Sequence, residues 1–137
     1  MDADRGPRRV LQPFEVVTAK LLPTIRARLA QVLLDDYGMR QVDVAKHLGI
    51  TQAAVSHYKT ASRGTDADLV QTFPEIETEV RALAARISDG MSQMEQVLAF
   101  NTLVDRLMNT QRFCEYHKRI AAIDPACNIC FPSPPKP

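Results

Sequence analysis

Apolar residues recur along this chain at three- and four-residue intervals, and the spacing predicts helices from end to end. Phe14, Val16, Val17 and Leu21 give a short helix beginning at Pro13 its apolar side. Leu22, Ile25, Leu29, Val32 and Leu33 outline a second helix, with Pro23 at its start, where a missing N–H is tolerated, and Gly38 just past its end. Gln41 to Leu48 and Thr51 to about Thr60 read as two shorter helices separated by Gly49. Thr51 is suited to cap the later one, because its hydroxyl can accept a bond from an early helical N–H.

The polar stretch around Ser62, Gly64 and Thr65 reads as a loop. Pro74 then opens a helix with Ile76, Val80, Leu83, Ala84 and Ile87 on one face, ended by Gly90. Ser92 and Glu95 have the spacing of a capping box ahead of a further helix. That helix carries Met94, Val97, Leu98, Phe100, Leu103, Val104, Leu107 and Met108, an arc too wide for an ordinary surface helix. It is read as a central core helix, with a homodimer contact as the alternative. No alternating stretch is bounded by hairpin signals, so the expected fold class is all-α.

Composition is that of an ordinary globular protein: 137 residues, 45% apolar and 24% charged, enough for one domain with a small appendage. The expected organisation is a flexible arm over 1–12, a helical unit over 13–64, a second helical region over 74–131 and an extended Pro-rich tail over 132–137. No apolar run reaches the roughly 18 to 20 residues that cross a bilayer, and MDADRGPRRV lacks the apolar stretch of a secretory signal. A cytoplasmic protein without a membrane partner is expected. Net charge is +1 overall, but residues 1–63 carry ten Lys/Arg against six Asp/Glu, whereas 64–137 carry seven against ten. The positive half is the one suited to phosphate.

Within that half lies QVDVAKHLGITQAAVSHYKT, residues 41–60. Two helices crossing steeply through a three-residue turn need a small residue at their contact, a residue tolerant of positive φ in the turn, and inward apolar groups on both sides. Ala45, Gly49 and the set Val44, Leu48, Ile50, Val55 and Tyr58 meet these needs. The segment resembles the helix-turn-helix of lambda-repressor-like (Cro/Xre-type) transcription regulators. With PFEVVTAKLLPTIRARLAQVLLDDYG before it, the stretch 13–64 is similar to a prokaryotic, largely archaeal, group that joins such a unit to a C-terminal Cys/His cluster. It departs from that group at Arg40, where Ser or Thr usually caps the first helix of the motif.

The resemblance implies a lambda-repressor-like DNA-binding domain whose later helix enters the major groove of double-stranded DNA. The outward residues are then Gln52, Ala53, Ser56 and His57, beginning at Thr51. Gln can pair with adenine through donor and acceptor, Ser can bond several bases, Ala can touch a thymine methyl, and His can reach base or phosphate. Gln41 resembles the glutamine that fixes phosphate in these regulators, and Arg40, Lys59 and Arg63 are candidate phosphate partners. One such unit reads few base pairs, so a homodimer on a pseudo-palindromic operator is expected.

Cys114, His117, Cys127 and Cys130 form C-x2-H-x9-C-x2-C and include every cysteine of the chain. On a helix Cys114 and His117 would share a face, and the tight Cys127–Cys130 pair could close a Cys3His tetrahedron. Zinc is the first expectation and an iron–sulfur cluster the second, since thiolates hold both. His47 is read as a surface residue.

The leading expectation is therefore a sequence-specific transcription regulator with a structural or redox- and iron-sensing metal site. The alternatives are a protein-interaction module on the same scaffold and a small metal or thiol redox protein. An enzyme is not expected: there is no nucleophile–base pair, paired-carboxylate motif or phosphate-binding Gly loop.

Overall fold

The computed structural model describes residues 11–60, 67–127 and 129. The expected tail, Arg63, Cys130 and the arm up to residue 10 lie outside the described residues. The described chain is all-α, without a strand.

Helix α1 (Pro13–Val16) runs through a π-helical turn, Val17–Leu21, directly into α2 (Leu22–Asp35). Two separate helices were expected here. The Leu22 N–H reaches the Val17 carbonyl five residues back, which widens the turn immediately before Pro23. A regular helix would press the proline ring on the carbonyl four residues earlier, and the wider turn relieves that conflict without ending the rod.

Two short helices follow, α3 (Gln41–Leu48) and α4 (Gln52–Thr60). After them come α5 (Ala67–Thr72), α6 (Glu75–Ser88), α7 (Gln93–Met108) and α8 (Gln111–Ile120). Helix α5 was not legible in the sequence, because its six residues bury only Leu69 and are too short to display a period. The capping box of α7 is formed: the Glu95 N–H donates to Ser92 Oγ at 3.1 Å, and the Ser92 N–H donates to Glu95 Oε1 at 3.0 Å. Thr110 starts α8 by accepting the Phe113 N–H at 3.3 Å.

One hydrophobic core joins all these elements. Ile25, Leu29, Val32 and Leu33 of α2 pack in a cluster with Val44 of α3, Val55 of α4, Ile76, Val80, Ala84 and Ile87 of α6, Leu103 and Leu107 of α7, and Phe113 and Tyr116 of α8. Each Val, Leu, Ile or Phe among them contributes about 1.5–3 kcal/mol when fully buried. The stretches 13–64 and 74–131 therefore do not have separate cores. Arg28 of α2 reinforces the joint by donating from Nε and Nη2 to Glu77 of α6, at 3.0 and 2.8 Å.

The arc on α7 does not make a central core helix. Only Gln96, Leu103 and Leu107 are buried, while Met94, Val97 and Leu98 are 81%, 65% and 63% exposed. The reason is geometric: α6 already covers the apolar face of α2, and α7 is left to pack on α6 and α8 with its C-terminal half. No helix among the described residues is long and apolar enough to cross a membrane.

Candidate nucleic-acid interface

The turn between α3 and α4 consists of Gly49, Ile50 and Thr51. Gly49 has φ +65° and ψ +36°, the left-handed conformation, and the N–H groups of Gly49 and Ile50 both return to the Ala45 carbonyl. A Cβ at Gly49 would meet nothing within 4 Å, so backbone conformation and not space demands glycine here. Thr51 Oγ1 accepts the Ala54 N–H at 3.0 Å and starts α4 as expected. Val44 and Val55 are fully buried and Ala45 nearly so, which fixes the inward faces of both helices.

What remains outward is polar or small. Thr51, Gln52, Ala53, His57 and Lys59 are exposed, Gln41 and Ser56 half-buried. His57 also sets its ring edge against Tyr58, with centroids 6.0 Å apart. Helix α4 is held from behind: Gln31 Nε2 donates to the Tyr58 carbonyl at 3.3 Å, and Gln31 Oε1 accepts from Arg28 Nη1. The far end of α4 is thereby tied through α2 to Glu77 on α6.

The electrostatics divide the expected phosphate partners. Arg40 has no side-chain cap on α3, as its chemistry requires, and instead donates to Asp43, 2.9 Å from Nε. That hydrogen bond, with the attraction of the charges, holds Asp43 below its ordinary value and raises Arg40. Arg40 is thus partly neutralised. Lys59 has no ion pair among the described residues, nor has the exposed Lys46, which sequence reasoning did not include. Lys46 lies on α3, outside the stretch Thr51 to Thr60 from which the expected groove contacts were drawn. The first N–H groups of α3 and α4 also lack intrahelical acceptors, which favours an anion at either end.

The C-terminal candidates are differently placed. Cys114 and His117 lie three residues apart on α8, both buried at 7% and 4% exposure. His117 Nε2 lies 2.6 Å from the Leu11 carbonyl and donates to it, so the imidazole ties the start of the described chain to α8. Leu11, expected in a free arm, is packed on the core. Cys127 is half-buried in a turn where its own N–H meets the Asp124 carbonyl at 2.9 Å. Among the described residues no three His, Cys, Asp or Glu side chains stand together as a metal-holding group. The described donors of the expected set are two thiols and the His117 imidazole, whose Nε2 is held by Leu11; Cys130 lies outside the described residues.

Compared with known families, curated proteins and solved structures, the chain matches no family model, no curated protein and no solved structure.

Proposed function

We propose that this protein is a sequence-specific DNA-binding regulator of transcription, built on a lambda-repressor-like helix-turn-helix formed by α3 and α4. The observation that carries the reading is the division of α4: Val55 is fully buried, while Gln52, Ala53, His57 and Lys59 face outward on a helix without an acidic residue. Insertion of α4 in a major groove puts Gln52, Ala53 and Ser56 at base edges. Lys46, Lys59 and the helix N-termini then lie along the phosphates. Asp43 is the only acidic residue between 40 and 60, and it is already paired with Arg40, so it opposes the polyanion weakly. The exposed Met94, Val97 and Leu98 support a homodimer, which a pseudo-palindromic operator requires.

A zinc ion or iron–sulfur cluster on Cys114, His117, Cys127 and Cys130 is not needed for this reading, and no step of it runs through one. The second reading, a protein-interaction module, is favoured by the same apolar residues of α7. Fluorescence anisotropy with a random-sequence duplex across a salt series separates the two. Affinity that falls linearly in log–log form with salt supports DNA binding, because phosphate neutralisation releases counterions. Absence of binding at low salt overturns it.

A further inference from the structure

A groove of about 460 Å³ runs between α7 and the rod formed by α1, the π turn and α2. Val17, Leu22, Phe100, Val104 and Met108 supply its apolar walls. Its size falls within the roughly 300–1,000 Å³ of small-molecule sites, which combine apolar walls with a few polar groups. Gln96 lines it and is the decisive residue. The residue is 8% exposed, and its side-chain amide has no hydrogen-bond partner among the described residues. A buried amide left unpaired opposes folding, and both its donor and its acceptor are open to a ligand.

We infer that this groove binds an apolar small molecule bearing one neutral amide head, which pairs with the Gln96 amide while its chain lies on Phe100 and Val104. The neutral head follows from the charges. Arg26 and Asp105 line the same groove with opposite signs and no ion pair to any described residue, so neither an acid nor an amine is selected. The π turn contributes to the wall, and such widened turns recur at functional sites. Leu48, the last residue of α3, also lines the groove, so an occupant touches the helix that leads into Gly49. If α3 and α4 bind DNA as proposed above, this is an effector pocket; the pocket itself does not rest on that reading.

The test is a nuclear magnetic resonance titration of the full chain with octanamide, without DNA. Saturable shifts are expected at the Gln96 side-chain amide and at Phe100 and Val104. Gln96→Leu should weaken octanamide binding by about tenfold or more, the loss of a hydrogen-bonded pair. The same variant should raise the melting temperature by about 2–4 °C, because it removes the unpaired amide. Val104→Trp, which fills the groove, should abolish binding. Absence of saturable shifts overturns the inference, as does undiminished affinity in Gln96→Leu. Octanamide binding that is lost on concentrating the protein and restored on dilution would give the groove to a second copy and overturn it equally.

Discussion

Arg28 holds the carboxylate of Glu77 in a two-pronged grip, with Nε and Nη2 each on a separate oxygen, at 3.0 and 2.8 Å. The pair crosses from α2 to α6, and Glu77 also receives Arg81, which in turn reaches Asp36 at 2.8 Å. A second fork, Arg112 on Glu75, fastens α8 to the start of α6.

These forks make stability depend on acid. Hydrogen bonding from Arg28 is the main cause that holds the Glu77 carboxyl below its ordinary value, and Arg112 acts likewise on Glu75. A carboxyl with a lower value folded than unfolded stabilises the protein above its unfolded value, about 4.3, and loses that contribution as pH falls through the folded value. The urea midpoint should therefore hold from pH 7 to near 5 and drop below about 4.3. Glu77→Gln should cost about 1 kcal/mol at neutral pH and flatten part of the acid drop. An unchanged acid profile in that variant would locate the sensitivity elsewhere.

Gly49 is a conformational requirement. Gly49→Ala should destabilise by about 1–2 kcal/mol although the space is open, since an L side chain disfavours the left-handed region. Gly49→Asn should cost less, because Asn enters that region more readily. Equal losses from Ala and Asn in chemical denaturation would point to a packing role instead.

On the DNA reading, Lys59→Gln and Lys46→Gln should each weaken binding to all duplexes alike and lower the salt slope by roughly 0.9. Gln52→Ala and Ser56→Ala should cost about 1–3 kcal/mol on a selected operator while leaving nonspecific binding nearly unchanged. Anisotropy on operator and random duplexes distinguishes these outcomes. Uniform losses from Gln52→Ala would remove its assignment to a base.

His117 serves the fold through Leu11. His117→Ala should destabilise by about 1–3 kcal/mol and speed amide exchange at the start of α1, whereas His117→Gln keeps a donor and should lose less. Metal content after anaerobic purification should be equal in wild type and His117→Gln. A metal lost with the imidazole would assign His117 to coordination through Nδ1, with Nε2 still held by Leu11.

If α7 forms the homodimer contact, Val97→Glu with Leu98→Glu should shift the protein to monomer in sedimentation velocity. Both residues are largely exposed, so the monomer's folding stability should change little. A sedimentation coefficient equal to that of the wild type would leave this face free for other partners.

Several features could be read from the order of residues alone because their causes are local. Helical periodicity requires apolar groups three and four apart, Ser92 and Glu95 satisfy each other's N–H groups within one turn, and Gly49 answers a backbone demand of its own position. The all-α class and the inward residues of α3 and α4 follow from such short-range rules. Tertiary packing decided the rest, because those outcomes depend on which surfaces are already occupied. Once α6 had covered α2, the arc of α7 was left partly exposed and the Gln96 amide was buried without a hydrogen-bond partner among the described residues. Leu11, 106 residues away, became the acceptor for the His117 imidazole.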